Sequence, residues 1–226
     1  MGDIARLASQ LDIAERSYKR TIIASSKLKD PDKKKLVDCH TSLGDVYVEW
    51  SRFNNGMDNY MISYDYYYKL KNQSKVSEIL NKIGIIYEAT GEHKLALEKY
   101  YEALKISRRL SDKKLIAAIL TNLGIVYDKN MQISKAVAVY NEALDIFRNL
   151  ADMNSIVQLL TNIGVLLGRE NHLAEALSKF EESLKIAEEL NDNQEKSAIL
   201  LNIGIVNMEN KNYDPAAEKF VEALKL

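Results

Sequence analysis

Five of the chain's nine glycines stand at intervals of 40 residues. They are Gly44, Gly84, Gly124, Gly164 and Gly204. The residues around them agree as well, reading TSLGDVY, NKIGIIY, TNLGIVY, TNIGVLL and LNIGIVN. A period of this length is typical of structural repeats, in which each unit buries its apolar face only against its neighbours. The glycine spacing therefore predicts a stack of similar units.

Each predicted unit contains two helical patterns. In the first pattern Leu80, Ile83 and Tyr87 recur at the spacing of one helix face. A second pattern begins about twelve residues after the glycine, at Ala96, Ala136, Ala176 and Ala216. The small Gly and Ala side chains would let the two helices approach closely, and the aromatic residue four positions after each Ala would fill the space beside them. Only two prolines occur in 226 residues, which also favours helix.

The repeat sets the predicted boundaries. The full units are 33–72, 73–112, 113–152 and 153–192, followed by an incomplete unit at 193–226, with a partial unit at 1–30. In the partial unit the chain is predicted to begin midway through a first helix, with Ala14 and Tyr18 in a second helix. We expect either a fragment of a longer array or an array that pairs through its ends. The following residues are placed to cap the next first helix: Asn72, Asp112, Asp152 and Asp192.

The repeated phrase resembles the tetratricopeptide repeat (TPR), whose pattern is W-x₂-L-G-x₂-Y followed by A-x₃-F and A. In this chain the pattern reads Leu80, Ile83, Gly84, Tyr87, then Ala96, Tyr100 and Ala103. The resemblance implies an all-α fold, a right-handed α-solenoid of antiparallel helix pairs. HEAT and armadillo repeats share the 40-residue length but lack this series. The usual terminal Pro is absent, so the second helix is expected to run on and lengthen the repeat.

The charge balance and the cysteine content limit which classes of partner and which compartment the sequence fits. The 31 basic and 32 acidic side chains give a net charge of −1, which provides no electrostatic footprint for nucleic acid or an anionic membrane. No apolar run is long enough to span a bilayer, and the first residues lack the apolar core of a signal peptide. The single cysteine, Cys39, fits a reducing compartment. We expect a cytoplasmic protein that binds neither nucleic acid nor membrane.

No set of residues points to catalysis. His40, His93 and His172 lie in different predicted units, and His40 and His93 fall at packing positions. Cys39 and His40 are adjacent, so on a helix their side chains point in different directions. The glycines belong to helices and form no phosphate-binding loop. The sequence predicts no catalytic residue, no metal and no cofactor.

The first helices carry the strongest functional pattern. Asn122, Asn162 and Asn202 stand two residues before the repeat glycine, while Lys82 and Ser42 interrupt the series. This series resembles the asparagine ladder in the TPR regions of O-GlcNAc transferase and kinesin light chain, which implies an extended peptide held in a concave groove. Asn amides can both donate to and accept from a peptide backbone. The candidate peptide-binding residues are Asn81, Asn122, Asn162, Asn202, Ile85, Ile125, Val165 and Ile205.

Several alternatives remain open. The asparagines could bond only to neighbouring helices and bind no ligand. The clamp that other TPR proteins use for an acidic C-terminus requires Lys and Asn where this chain has Asn81 with Ile85, or Thr121 with Ile125. The sequence therefore favours a non-enzymatic scaffold for a protein or peptide partner. The alternatives are a peptide-sensing region of a larger signalling protein and an array that self-associates through its uncapped end helices.

One tyrosine cluster stands apart from the repeat pattern. Tyr64 and Tyr66 occupy core positions of the repeat, whereas Tyr67 and Tyr68 match Ser107 and Arg108. Tyr67 and Tyr68 are therefore predicted to be exposed. An exposed tyrosine pair is a possible contact surface, although an ordinary surface fits the pattern as well.

Overall fold

The computed structural model describes residues 2–28 and 32–226, with side chains described from residue 10 onward. These residues form eleven α-helices and no strand, which confirms the all-helical class. The helices are α1 (Gly2–Ser26), α2 (Lys33–Glu49), α3 (Phe53–Lys69), α4 (Gln73–Ala89), α5 (His93–Leu110), α6 (Lys113–Lys129), α7 (Ile133–Leu150), α8 (Met153–Arg169), α9 (Leu173–Glu189), α10 (Asn193–Glu209) and α11 (Tyr213–Ala223).

The chain divides into two compact units, residues 1–112 and 113–226. In unit 1 each helix from α1 to α5 packs against the next one in sequence. Unit 2 contains α6 to α11 arranged in the same way, and in addition α8 contacts α10. From α2 onward, consecutive helices are joined by short turns, so the helices stack in an antiparallel manner within each unit. No helix among the described residues is long and apolar enough to cross a membrane.

The repeat glycines pack against aromatic rings, as the sequence predicts. A Cβ built at any of the five would lie 2.7 Å or less from a ring carbon of Tyr60, Tyr100, Tyr140, Phe180 or Phe220. Such an approach is closer than real Cβ atoms make. Glycine is therefore required because the two helices of each pair cross there with an aromatic ring between them. The ring of Phe180, for example, is fully buried in the core of unit 2.

Side-chain caps start several of the first helices. Asn72, Asp152 and Asp192 each accept a hydrogen bond from the backbone N–H three residues later, which confirms the predicted caps. Asp32 caps α2 in the same way. These bonds satisfy backbone donors that have no partner inside the helix. The helices α2, α4, α8 and α10 therefore begin where their caps are placed, and the predicted cap at Asp112 stays a prediction.

The turns between helices share one backbone conformation. A residue with positive φ follows the helices at every twentieth position from 51 to 211, and only one of these nine residues is glycine. They are Ser51, Lys71, Gly91, Ser111, Met131, Ala151, Asn171, Asn191 and Lys211. The left-handed conformation lets the backbone N–H groups after the helix reach its last carbonyls. The turns therefore follow a period of half a repeat.

The N-terminal prediction is wrong in one respect. Residues Gly2–Ser26 form a single uninterrupted helix, not the end of a first helix followed by a second helix. No glycine or proline lies between Ile4 and Tyr18, so nothing in this segment breaks the helix. Among the described side chains of α1, Glu15 alone is buried, at 9% exposed. Its carboxylate accepts from Lys19 at 2.6 Å and from the Tyr47 hydroxyl of α2 at 3.1 Å.

Candidate peptide-binding face

Four of the candidate residues of unit 2 lie on α8 and α10. Ile163 and Leu166 of α8 are buried, whereas Asn162 is half-buried and Val165 is exposed. An i, i+3 spacing makes them neighbours on the helix surface. Asn202 and Ile205 occupy the same positions on α10, which contacts α8. Val165 is 38% and Ile205 49% exposed, so each amide has an accessible aliphatic neighbour.

The asparagines differ in their polar contacts. Asn162 and Asn202 are half-buried, and the side-chain amide of neither forms a hydrogen bond with any other residue that the structure describes. Asn81 and Asn122 are also half-buried, but both are engaged in interactions within the protein. The side chains of Ile85 and Ile125 are half-buried as well. The candidate asparagine amides that have no partner among the described residues therefore lie on α8 and α10.

The exposed apolar surface of α10 is larger than predicted, because the sequence analysis named only Ile205 among the apolar residues of this helix. Leu201 and Met208 are also exposed and lie on the same side of α10 as Ile205. The opposite side buries Ile203 and Val206, so α10 is apolar on both sides. The signal was present in the sequence, because Leu201, Ile205 and Met208 are spaced by four and three residues. It was difficult to recognise because the buried residues Ile203 and Val206 alternate with these exposed residues along the sequence.

The same positions in unit 1 carry a polar network. Lys82, which replaces the ladder asparagine on α4, forms an ion pair of 2.6 Å with Asp45 on α2. Asp45 also accepts a 2.6 Å hydrogen bond from the hydroxyl of Tyr60. Burial, followed by this bond to Asp45, raises the pKa of Tyr60. These groups line a cavity of about 360 Å³ whose apolar wall includes Ile85. The polar groups of this face satisfy one another.

The tyrosine cluster is only partly as predicted. Tyr67 is 2% exposed, so the prediction that it is exposed is wrong, whereas Tyr68 is 60% exposed. Tyr67 lies on the side of α3 that faces α2, and its hydroxyl donates to Asp38. The match to Ser107 misled because Ser107 is itself buried. Tyr64 and Tyr66, predicted to be core, are half-buried, and Tyr64 stacks on Tyr68 with ring centroids 5.6 Å apart.

The histidines and the cysteine lie apart from the asparagine face. His40 Nδ1 lies 2.8 Å from Asn59 Oδ1, and His172 Nδ1 lies 3.0 Å from Glu175 Oε1. Burial, aided by the Asp38 carboxylate, raises the pKa of the Cys39 thiol, which makes its reactive thiolate scarcer. Within residues 2–28 and 32–226, no three or more His, Cys, Asp or Glu side chains are grouped so that they could hold a metal ion.

Comparison with known proteins agrees with this geometry. The family model of the tetratricopeptide repeat matches residues 75–149. Residues 75–149 therefore carry the sequence pattern of tetratricopeptide repeats. No curated protein sequence matches it.

Solved structures show the same fold. The structure of BtubC (BKLC) from P. vanneervenii has a TM-score of 0.84 at 22% identity, over 95% of this chain and 90% of that one. A putative kinesin light chain of Podosopora anserina with nearly identical TPR-like repeats has a TM-score of 0.72 at 14% identity, over 88% of this chain and 96% of that one. A Rap protein complexed with competence and sporulation factor has a TM-score of 0.68 at 15% identity, over 96% of this chain and 64% of that one.

Proposed function

We propose that this TPR protein is a non-enzymatic interaction scaffold, which binds an extended peptide segment of a partner protein on the exposed face of α8 and α10. The observation that carries this proposal is the pair Asn162 and Asn202. Both amides are half-buried and without a partner among the described residues, and both stand beside an exposed aliphatic side chain.

The chemistry of this face suits a peptide backbone. An Asn amide donates two hydrogen bonds and accepts others, so it can bond both the N–H and the C=O of an extended segment. Because the side-chain amides of Asn162 and Asn202 have no hydrogen bond to another described residue, a ligand bond would break none within the described part of the protein. Val165 and Ile205 would pack against apolar side chains of the segment and select for them.

The comparisons support a binding role without identifying the partner. A Rap protein with the same fold is complexed with competence and sporulation factor, so this helix arrangement accommodates a bound partner in that protein. Tetratricopeptide repeats are generally non-catalytic, which agrees with the non-enzymatic role proposed here. A cytoplasmic location stays a prediction from the sequence.

The test is affinity capture from a lysate of the source cells. The wild-type protein is compared with the variant Asn162→Ala/Asn202→Ala, after both have been shown to be equally folded. The matched control is Asn141→Ala/Asn149→Ala, which removes two exposed asparagines of α7 in the same unit. A partner that the first variant loses and the control retains supports the proposal. A partner that both variants retain equally contradicts it.

A further inference from the structure

Unit 2 contains a cavity of about 370 Å³ at the start of α8, the end of α9 and the start of α10. Its lining includes Val157, Ala187 and Leu190, with the polar groups of Gln158 and Glu195 beside them. Val157 and Ala187 form a buried floor, and Leu190 is 40% exposed. This volume is in the range of sites that bind small molecular groups.

Two other helix pairs of the chain place an aromatic side chain at this position. Counting back by multiples of the repeat, Ala187 corresponds to Phe147 in α7 and to Tyr67 in α3. Both aromatic side chains are buried. The equivalent residue in α5, Ser107, is small and buried. Ala187 is likewise small, so the pair α8–α9 lacks the ring that α3 and α7 hold.

The first helix pair shows what the space can hold. Tyr67 reaches from α3 to α2, where its hydroxyl donates to the carboxylate of Asp38. Gln158 stands at the position of Asp38, and Val157 and Leu190 stand at the positions of Val37 and Leu70. The residue types at these repeat positions are therefore largely preserved around the cavity, with an amide oxygen in place of the carboxylate that accepts from Tyr67.

We infer that this cavity binds a tyrosine side chain of the peptide, a conclusion that rests on the proposed function. Gln158 lies one helical turn before Asn162 on the same side of α8, so the cavity adjoins the proposed binding face. The ring packs on Leu190 above the buried floor. Its hydroxyl donates to Gln158 or to the carboxylate of Glu195, a side chain that has no partner among the described residues.

The test uses a probe that is independent of the unidentified partner. N-acetyl-tyrosinamide is titrated into the ¹⁵N- and ¹³C-methyl-labelled protein, and shifts and intermolecular NOEs are followed at Val157, Ala187 and Leu190. N-acetyl-phenylalaninamide and N-acetyl-argininamide are the comparison probes. We expect NOEs from the tyrosine ring to these methyl groups and an affinity at least fivefold above that of either comparison probe, because a hydrogen bond of ordinary strength is worth about this factor.

Two variants and one control test whether the probe binds in this cavity. Ala187→Phe supplies the ring that Phe147 supplies in α7, and should reduce the affinity for the tyrosine amide at least tenfold. The matched control Ala138→Phe adds the same ring at an exposed position of α7 and should leave the affinity unchanged. Gln158→Ala should remove most of the preference for tyrosine over phenylalanine.

Each outcome decides the inference. Absence of NOEs to the three methyl groups in the wild-type protein overturns it, whether or not Ala187→Phe folds. Equal or tighter binding of the arginine amide overturns it in favour of a cation site at Glu195. The variant Asn162→Ala/Asn202→Ala should retain the tyrosine amide. If this variant still binds the tyrosine amide and also captures the partner as well as the wild type does, the proposed function fails and the cavity assignment stands.

Discussion

The first helices of the two units have the same scaffold but opposite surface chemistry. In unit 1 the face of α2 and α4 is occupied by an ion pair between Lys82 and Asp45, which also binds the hydroxyl of Tyr60. In unit 2 the equivalent face of α8 and α10 carries unpartnered amides beside exposed aliphatic side chains. The difference teaches that the repeat fixes the backbone and the core, while the solvent-side positions are free to become either a closed polar network or an open surface.

The largest expected effect tests the shared scaffold. Gly84→Leu in unit 1 and Gly164→Leu in unit 2 should each lower the free energy of unfolding by about 3 kcal/mol, because the added side chain overpacks an aromatic ring. Urea denaturation followed by circular dichroism measures both. A large loss in one unit with none in the other would show that the two scaffolds are not equivalent.

A smaller effect tests the difference between the faces. Asp45→Ala leaves Lys82 and the Tyr60 hydroxyl without their acceptor and should cost about 1–2 kcal/mol of unfolding free energy. Asn162→Ala removes no side-chain hydrogen bond to another described residue and should change stability by less than about 0.5 kcal/mol. Thermal melts of the two single variants provide the comparison. Equal losses would mean that Asn162 supports packing after all.

The stability of unit 1 should depend on pH through the carboxylate of Glu15. The hydrogen bond from Lys19, with a further one from Tyr47, holds the pKa of Glu15 below its usual value. A lowered pKa contributes stability that is present above the unfolded value, about 4.3, and is lost as the pH falls through the folded value. Glu15→Gln should therefore be less stable than wild type at pH 7 and approach it at pH 3. Melting curves at both pH values test this, and a constant difference contradicts it.

The smallest effect concerns the turns. Gly91 in unit 1 and Lys211 in unit 2 occupy the same repeat position with positive φ. Gly91→Ala should cost about 1 kcal/mol, since an L-residue is strained there. Lys211→Gly should gain about 0.5 kcal/mol, because relief of that strain exceeds the added chain entropy. Lys185→Gly, inside α9, is the control and should destabilise by about 1 kcal/mol. A destabilised Lys211→Gly would contradict this account of the turns.

The sequence was most informative where one residue has one physical role. The repeat glycines predict close helix crossings, and Asn72, Asp152 and Asp192 predict caps, because few other residues can do either. The positive-φ turns were not predictable, since residues as different as Met131 and Lys211 occupy them. There the conformation is imposed by the helices on either side.

The candidate site was less predictable than the fold. The sequence indicated which asparagines share a position, but not that Asn122 is engaged while Asn162 and Asn202 are unpartnered. Nor did it indicate that Tyr67 turns inward, because its position alternates between Tyr67, Ser107, Phe147 and Ala187. Such properties depend on the neighbouring helices, which differ from one pair to the next although the repeat positions are the same.

The identical turns have a consequence for how such a chain can change its length. Because α7 and α9 are both followed by a left-handed residue and then a capping aspartate, at Ala151–Asp152 and Asn191–Asp192, a deletion of residues 153–192 would join two ends of matching geometry. The shortened gene would encode an intact turn at the junction. A 40-residue duplication would do the same, so recombination between repeats can alter the size of the proposed binding surface without disturbing the fold.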